Sequence, residues 1–490
     1  MTGNTVTVRT RIAPSPTGEY HVGSLRTALY NYAFAKQNKG QFIIRIEDTD
    51  QKRYVPGSET RLLEVMRIFG LNCDEGPENG GPYAPYTQSK RLSLYKEHAE
   101  KLVKNGDAYY CFCTPERLDE MRKEQTQRGD KVTKYDKRCL HLSTEEIQKN
   151  LADGIPHVIR QRVPDNETIE YNDAFLGHIS FNSDDIDNTV LLKSDGYPTY
   201  HLAVVVDDHL MHISHILRAM EWLPSTPKHI LLYKAFGWET PVIGHMSDLK
   251  EKDANKKLSK RYGGVSVESF LAKGYLPEAL LNFLMFLGWN PGTDKEIYSL
   301  DEFCKDFSLA KVQKSFFSSF DRDKLIWYNG VYIRNFSPEN LLLLISDWSK
   351  KYAPNDILEK ADKAYLLKVV ELAQERLKTL AEFFETSQYF FEDPTVDREL
   401  LSKQPKDPLA VKDILKKFYD LYESVDGSNW TKENLETISH KLLTDTGLKP
   451  REAFMTLRVA TTGVTATPPI FDTIALLGKD TVLRRINACQ

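Results

Sequence analysis

Glycine is distributed unevenly along this chain, and this distribution constrains the fold more than any other feature. Of the 26 glycines, only Gly427, Gly447, Gly463 and Gly478 lie after residue 330. Up to that point strand-like and helix-like segments alternate with turns, which is typical of α/β folds. Beyond it, apolar residues recur at helical spacing through segments 362–384 and 408–425. The sequence therefore predicts an α/β region followed by an all-α region.

The first 50 residues predict a βαβ unit. TVTVRTRIAP is interpreted as a strand that leads into a helix from Ser24 to Gly40, and QFIIRIED follows as a buried strand. A second unit begins with YHLAVVVDDH, interpreted as a strand, and ends in a helix that Ser225 or Thr226 caps and Gly237 terminates. Two such halves predict a doubly wound sheet, whose ligands bind at the carboxyl ends of the strands.

Composition excludes several classes of protein. The longest aliphatic runs, such as LLLLI at 341–345, are too short to span a membrane, and the N-terminus resembles no targeting leader. Six cysteines in 490 residues are too few for a disulfide scaffold. With a net charge of −4, the chain has to bind any nucleic acid through local basic patches. We expect a cytoplasmic protein of several domains.

Two short motifs flank the predicted cleft. HVGS places His21 and Gly23 at the start of the first predicted helix, where the helix N-terminus attracts anions and glycine allows close approach to the backbone. KLSKR, at 257–261, gathers lysines and an arginine, a pattern that suits a phosphate site and is also typical of a solvated loop. Neither GxxxxGKS nor GxxxxGKT occurs in the sequence, so a P-loop is excluded.

A second cluster consists of potential metal ligands. CFC and, further along, CLH supply Cys111, Cys113, Cys139 and His141. Three thiolates and an imidazole fit tetrahedral Zn²⁺, and in a reducing compartment such clusters are more often metal sites than disulfides. The isolated cysteines, which we expect to be structural, are Cys73, Cys304 and Cys489.

HVGS and KLSKR together resemble the HIGH and KMSKS motifs of class I aminoacyl-tRNA synthetases. Longer strings extend the resemblance, in the order RIAPSPTGEYHVGSLRTALYN, RIEDTD, PYTQSKR, SDGYPTYHLAVVVDDHLM, RAMEWLPSTPKHILLY, KLSKR, LPEALLNFLMFLGW and LRVATTGVTATPPIFDTIALLGK. This order resembles that of bacterial-type glutamyl-tRNA synthetases over essentially the whole chain. The resemblance implies a Rossmann-type catalytic domain with an inserted subdomain, followed by an α-helical anticodon-binding domain.

The resemblance also implies domain boundaries and a tRNA partner. Residues 1–325 would form the catalytic domain, with an insertion at about 85–195 that contacts the tRNA acceptor end and a stem-contact region at about 250–325; residues 326–490 would bind the anticodon. The cysteine cluster lies in the insertion, where part of the family binds zinc. Arg376 matches a position at which members that charge only tRNA(Glu) carry arginine; an exposed arginine with a helical ion-pair partner is the alternative.

The resemblance implies a pocket for glutamate. Arg11 and Arg218 match positions that hold the substrate carboxylates, a task that suits the planar, permanently charged guanidinium. Glu47 matches the position that receives the α-ammonium group. The further matching contacts are Ala13, Ser15 and Tyr200. At position 204 some relatives carry an asparagine that contacts the substrate, whereas Val204 has no hydrogen-bonding group.

ATP would lie between the two motifs. The residues that the resemblance places around it, with Mg²⁺, are His21, Gly23, Trp222, Lys257, Ser259 and Lys260, of which His21, Gly23, Lys257 and Lys260 are the implied catalytic residues. Leu258 would help to shape the KLSKR loop, and Arg261 would remain in solvent. The glutamate α-carboxylate attacks the α-phosphorus to give glutamyl-adenylate and pyrophosphate, and the terminal adenosine of tRNA(Glu) then takes the glutamate. Positioning and charge stabilisation dominate such chemistry.

Three other interpretations are weighed against this one. Glutaminyl-tRNA synthetases usually carry PEPNG before the HIGH motif and end in β-barrels, whereas this chain carries PSPTG and a helical tail. A truncated paralogue that glutamylates a modified tRNA base lacks the anticodon domain. An inactive tRNA-binding relative has no need of His21 or Lys260. We expect a monomer with no membrane partner.

Overall fold

The computed structural model describes residues 7–130, 132–252, 258 and 264–490. The chain divides into two compact units. The first contains Met1–Ser269 and Leu281–Arg322, and the second contains Phe270–Leu280 and Asp323–Gln490. Within the described residues, all strands belong to the first unit.

The strands form mixed and parallel sheets. In chain order they are β1 (Arg9–Ile12), β2 (Gln41–Ile44), β3 (Ala108–Cys111), β4 (Val158–Gln161), β5 (Thr168–Asp173), β6 (Gly177–Asn182), β7 (Val190–Leu192), β8 (His215–Ala219), β9 (Val242–Met246), β10 (Asp248–Glu251) and β11 (Phe317–Phe320). β1 pairs in parallel with β2, and β8 with β9; β5 lies parallel to β9 and antiparallel to β6. β3, β4 and β7 form an antiparallel sheet, and β10 pairs in parallel with β11.

Helices surround these sheets and make up most of the second unit. They are α1 (Val22–Gln37), α2 (Ser58–Ile68), α3 (Leu92–Asn105), α4 (Pro115–Gln127), α5 (Thr144–Ala152), α6 (Tyr200–Leu210), α7 (Thr226–Phe236), α8 (Val267–Ala272), α9 (Pro277–Met285), α10 (Leu300–Asp306), α11 (Arg322–Arg334), α12 (Pro338–Tyr352), α13 (Ile357–Lys360), α14 (Lys363–Gln374), α15 (Glu382–Ser387), α16 (Arg398–Ser402), α17 (Ala410–Glu423), α18 (Lys432–Thr446), α19 (Pro450–Thr462), α20 (Ile470–Leu477) and α21 (Lys479–Cys489). In the described part of the chain, none of them combines the length and the apolar character that crossing a membrane requires.

The first βαβ unit is confirmed, with shifted helix ends. The helix predicted from Ser24 begins at Val22, and it ends before Gly40. Lys39, rather than the glycine, takes the left-handed conformation, with a φ of 53°. Gly40 instead allows close packing against the chain before β1, because a Cβ atom at this position would collide with the carbonyl oxygen of Val8.

One predicted strand is wrong. YHLAVVVDDH forms α6, a helix. Residues 202–208 are all buried, so the segment has no exposed face and lacks the polar–apolar periodicity that separates a helix from a buried strand. The strand of this second half is instead β8, and the amide of Ser214 joins it to the first half by donating to the carbonyl of Arg9 at 3.0 Å.

The rest of the second half agrees with the prediction except at the cap, because Ser225 precedes the helix without a side-chain capping hydrogen bond and Thr226 is its first residue. α7 follows Ser225 and ends at Gly237, which has a φ of 70°. Pro227 occupies the first turn of α7, where its missing N–H costs nothing. The predicted α/β class of the first region is thereby confirmed.

The second unit packs its amphipathic helices around one apolar core. On α17 the buried residues are Val411, Ile414, Leu415, Phe418 and Tyr422. Their spacing places them along one face of the helix. They join buried residues of α12, α14, α19, α20 and α21 in the same cluster. The predicted helical C-terminal region is confirmed.

Candidate active site

A cleft of about 910 Å³ opens at the carboxyl ends of β1, β2 and β8. The predicted site residues that line it are Arg11, Ala13, Ser15, His21, Gly23, Glu47, Tyr200, Arg218 and Trp222, and Val204 joins them. Leu258 also lines the cleft. The other residues predicted or discussed for KLSKR, namely Lys257, Ser259, Lys260 and Arg261, lie outside the described residues.

The HVGS turn is shaped by its own imidazole. Nδ1 of His21 accepts a hydrogen bond from the amide of Gly23 at 2.9 Å and so caps α1. A Cβ atom at Gly23 would lie 3.0 Å from that Nδ1, so glycine keeps the cap uncrowded. The amide of Val22 donates to the carbonyl of Val265 at 3.0 Å. The turn is therefore paired with the segment that follows KLSKR.

A buried network of charges forms one wall of the cleft. Its cations are Arg11, Arg45 and Arg91, and its anions are Glu47, Asp207 and Asp208. All six side chains are at most 6% exposed. Three positive and three negative charges balance, which buried ions require.

Arg11 is partly committed within this network. Its Nε and Nη2 donate to the carboxylate of Asp208 at 3.1 and 3.0 Å. Asp208 also accepts from Arg45 at 2.7 Å. Burial would raise the pKa of Asp208, but the two guanidinium groups outweigh it and the pKa is lowered. Of the Arg11 fork, only Nη1 has no hydrogen-bond partner among the described residues.

Arg218 is buried, and no carboxylate of the described residues contacts it directly. Its Nε donates to Nε2 of His245 at 3.0 Å, and its Nη2 donates to Oγ1 of Thr226 at 2.7 Å. Its Nη1 lies 3.2 Å from Nδ1 of His229 and 3.3 Å from the hydroxyl of Tyr200. All of these partners are neutral acceptors, and the side chain belongs to a residue only 5% exposed. Direct contact with a carboxylate is therefore left for a ligand in the cleft.

The imidazoles around Arg218 are held neutral. Burial is the main cause of the lowered pKa of His229 and of His245, and the charge of Arg218 adds to it. His201, whose Nδ1 lies 3.1 Å from Nε2 of His229, has its pKa lowered to about 3, chiefly by burial. A protonated imidazole here would repel the Arg218 guanidinium.

This neutrality predicts a loss of stability in acid. An unfolded imidazole titrates near pH 6.5, so below that pH the unfolded chain takes up protons that the folded chain refuses. At about pH 5.5 a histidine held neutral in the fold, such as His201, lowers the free energy of unfolding by about 1.4 kcal/mol relative to neutral pH. His201→Asn keeps an acceptor near the Nδ1 position but cannot titrate. Urea unfolding should show a smaller loss between about pH 7.5 and about pH 5.5 in this variant, by about 1 kcal/mol.

The control for that experiment is His178→Asn. His178 is 62% exposed and lies on β6, outside the cluster around Arg218. If both variants retain the full pH dependence of the unmodified chain, His201 is not held neutral in the folded state.

The aromatic wall of the cleft is formed by Tyr200 and Trp222, whose ring centroids lie 4.3 Å apart. Val204, 2% exposed, lies one helical turn after Tyr200 on α6 and adds an apolar surface. The pocket thus has one aromatic and aliphatic side and one side that carries Arg218.

Several residues of the site were not predicted as site residues from the sequence, namely Thr226, Asp207, Asp208, His229, His245 and Asp173. His245 lies beside Arg218 because the two residues are directly paired between β8 and β9. Asp207 and Asp208 end α6, the segment interpreted as a strand. Two adjacent aspartates within an apolar run were the available clue. Carboxylates are rarely buried without a partner, so these two predict nearby cations.

The cysteine cluster lies away from the cleft-lining residues. The Sγ atoms of Cys111, Cys113 and Cys139 lie within 4.8 Å of one another, and the last two are 3.6 Å apart. In a tetrahedral site with Zn–S bonds of about 2.3 Å, two sulfurs are about 3.8 Å apart, so the three thiols fit zinc. The Tyr135 hydroxyl lies 3.5 Å from Cys111 and 3.3 Å from Cys113.

His141 does not join this cluster. It lies in the same 3-10 turn as Cys139, and it is exposed. Residues two apart on a 3-10 helix point in different directions, so the two side chains do not converge. The predicted four-residue ligand set is therefore not assembled, and the Tyr135 oxygen occupies the neighbourhood in which the imidazole was expected.

Arg376 lies in the second unit just after α14, and it is exposed. Its charge contributes, after burial, to the lowered pKa of Arg458. Two arginines near one another on an accessible surface create positive potential there.

Comparisons with known proteins agree with these features. The model of the class I tRNA synthetase catalytic domain for glutamate and glutamine (E and Q) matches residues 7–327. An anticodon-binding domain model matches residues 341–490.

Full-length relatives are similar as well. The chain is 44% identical over 496 residues to the glutamate–tRNA ligase of Chlorobium chlorochromatii, covering 98% of this chain and 97% of the relative. It is 43% identical over 487 residues to that of Clostridium kluyveri, with the same coverages. A crystal structure of a glutamate tRNA ligase from Elizabethkingia meningosepticum, in complex with its amino acid, superposes with a TM-score of 0.86 at 37% identity, covering 99% of each chain.

Proposed function

The chain belongs to the class I tRNA synthetases for glutamate and glutamine, and from that premise we propose how its cleft performs glutamate–tRNA ligation. ATP activates L-glutamate to glutamyl-adenylate, and the glutamate then passes to tRNA(Glu). Almost all of the catalysis in such a reaction comes from positioning and charge stabilisation.

The observation that carries the proposal is the set of partners of Arg218. The six-residue network pairs its own charges, whereas the buried guanidinium of Arg218 touches no carboxylate among the described residues, and the carboxylate of Asp173 lies behind the imidazole of His245. Glutamate carries a net charge of −1, whereas glutamine carries none. We assign the side-chain carboxylate to Arg218 and Tyr200. A guanidinium binds a carboxylate through two parallel hydrogen bonds, and here these replace the two longest contacts of Arg218, from Nη1 to the Tyr200 hydroxyl at 3.3 Å and from Nη2 to the Trp222 carbonyl at 3.5 Å.

The backbone end of glutamate lies toward β1 in this assignment. Arg11 reaches the α-carboxylate with its remaining Nη1, and Glu47 receives the α-ammonium. Glu47 is 7% exposed and accepts from Arg45 at 3.0 Å, so its carboxylate is held in place. Ala13 and Ser15 add backbone and hydroxyl contacts.

ATP lies along the HVGS turn. His21 and Gly23 present the N-terminus of α1 to the phosphates, and Trp222 borders the adenosine. Lys257, Ser259 and Lys260 complete the phosphate site by their place in the motif. ATP brings Mg²⁺, which is bound by its phosphate oxygens and shares their charge.

The test is pyrophosphate exchange with glutamate and with glutamine, each with and without tRNA. We expect exchange with glutamate and none with glutamine. Exchange with glutamine would indicate a glutaminyl enzyme, and no exchange under any condition would indicate a tRNA-binding relative. Lys260→Ala should abolish exchange and keep tRNA affinity.

The helical second unit supports binding of the anticodon, and we assign residues 1–325 to catalysis and 326–490 to the anticodon. Arg376 is placed at the anticodon, where it discriminates against tRNA(Gln). Glutamylation of a tRNA(Gln) transcript at a rate close to that of tRNA(Glu) would contradict this assignment. We further propose a monomer in the cytoplasm, where the six free cysteines remain reduced.

We also propose a structural zinc site made by the three thiols, with the Tyr135 hydroxyl as the nearest further donor. Metal analysis of protein purified without chelator should give about one zinc per chain, since three thiolates bind Zn²⁺ tightly. Cys139→Ser should lower the zinc content, whereas Cys73→Ser, outside the cluster, should not. Less than about half a zinc per chain would contradict the site.

A further inference from the structure

Behind Arg218, on the side away from the cleft, lie two residues that the reaction itself does not use. β8 and β9 place Arg218 directly beside His245, and β5, on the other side of β9, ends at Asp173. His245 Nδ1 lies 2.6 Å from Asp173 Oδ2, and Arg218 Nε lies 3.0 Å from His245 Nε2. Asp173 and His245 are 4% and 1% exposed.

The hydrogen bonds fix the tautomer of His245. A guanidinium has only donors, so Nε2 of His245 has to accept from Arg218. The ring proton therefore resides on Nδ1, from which it is donated to Asp173. A second imidazole, His229, also accepts from Arg218 and so opposes rotation of the guanidinium.

Asp173 is itself held rigidly. Its Oδ1 accepts from the backbone amides of Phe175 at 2.9 Å and Leu176 at 3.0 Å. The turn that results places Phe175 over Gly244, where a Cβ atom would lie 2.7 Å from the ring. The orientation of Asp173, and through it that of His245, is thus determined by the sheet.

We propose that Asp173 and His245 are positioning residues for glutamate, which hold the guanidinium of Arg218 in one plane while leaving direct contact with a carboxylate to the substrate. This inference rests on the proposed role of Arg218 in binding the side-chain carboxylate. A carboxylate in direct contact with Arg218 would compete with the substrate. A neutral imidazole oriented by a carboxylate one step further away fixes the geometry without that competition.

Asp173→Asn tests the tautomer directly. The amide oxygen has to remain at the Oδ1 position, because two backbone amides donate to it, so the amide nitrogen faces Nδ1 of His245. His245 then carries its proton on Nε2, and two donors face each other at Arg218; an amide behind a functional histidine is known to impose the wrong tautomer. We expect the KM for glutamate to rise by about 10- to 100-fold. The KM for ATP should change by less than about 2-fold. In the ¹⁵N NMR spectrum of His245, the protonated nitrogen should change from Nδ1 to Nε2.

The double variant Asp173→Asn/His245→Gln is the matched rescue. Glutamine presents an oxygen near the Nε2 position whatever stands behind it, so the KM for glutamate should return toward that of the unmodified chain. If Asp173→Asn does not fold, His245→Gln and His245→Met decide the question: only the methionine variant, which lacks a strong acceptor, should lose affinity for glutamate.

Two outcomes overturn the inference. One is an unchanged KM for glutamate in Asp173→Asn or in His245→Met, and the other is an equal loss of affinity for glutamate and ATP, which would indicate a merely structural role. Arg218→Gln separates this failure from failure of the proposed function. If Arg218→Gln loses glutamate and Asp173→Asn does not, the positioning role alone is wrong; if Arg218→Gln keeps glutamate, the assigned role of Arg218 is wrong.

Discussion

Arg218→Gln should lower kcat/KM for glutamate by about 100-fold or more, because a substrate carboxylate would lose its buried, bidentate, charged partner. Loss of one partner of a buried hydrogen-bonded charge pair costs about 2–5 kcal/mol, and each 1.4 kcal/mol is about a factor of ten. The effect should appear mainly in the KM for glutamate, measured by pyrophosphate exchange. The kcat/KM of Arg218→Lys should lie between those of the unmodified chain and of Arg218→Gln, because lysine keeps the positive charge but cannot form two parallel hydrogen bonds.

Arg67→Gln is the control for this change. Arg67 makes an ion pair with Glu78 outside the cleft lining, and the side chains are 54% and 51% exposed. The same substitution there should leave the KM for glutamate within about 2-fold, because exposed pairs contribute little. A similar KM in Arg218→Gln and Arg67→Gln would place the glutamate carboxylate elsewhere.

Asp208→Asn should lower the free energy of unfolding by about 3–5 kcal/mol, because it removes the shared counter-ion of two buried guanidinium groups. Arg11 and Arg45 both donate to Asp208, and the three side chains are at most 5% exposed. Urea unfolding measures the change. Affinity for glutamate should fall too, since Arg11 loses the partner that orients it.

Glu78→Gln provides the comparison of stability. It removes one exposed carboxylate from an arginine and should cost about 0–1 kcal/mol. Equal destabilisation by Asp208→Asn and Glu78→Gln would mean that the buried network contributes nothing special to stability.

The HVGS motif predicted its part of the cleft, because that part is built from local sequence. The HVGS turn is a strand-to-helix junction whose imidazole and glycine contact each other, and a contact two residues apart is visible in the sequence. Arg218 was found through its motif, and the cleft does contain it.

What the sequence could not predict depends on contacts between distant residues. Arg11 was assigned wholly to substrate, yet two of its nitrogens bind Asp208, which lies 197 residues further along the chain. The role of Asp208 was not predicted, because α6 is buried on all sides and its sequence was interpreted as a strand. His141 was misplaced as a neighbour of the thiols because spacing alone does not indicate the direction of a side chain on a 3-10 turn.

The buried, neutral network has a consequence for how the two substrates respond to salt. Mobile ions screen exposed charges over about 8–10 Å at physiological ionic strength but scarcely reach charges inside the protein. Binding of tRNA displaces counterions and weakens steeply as salt rises, whereas the buried network beside the proposed glutamate pocket is shielded from those ions. We therefore expect added salt to raise the KM for tRNA much more than the KM for glutamate.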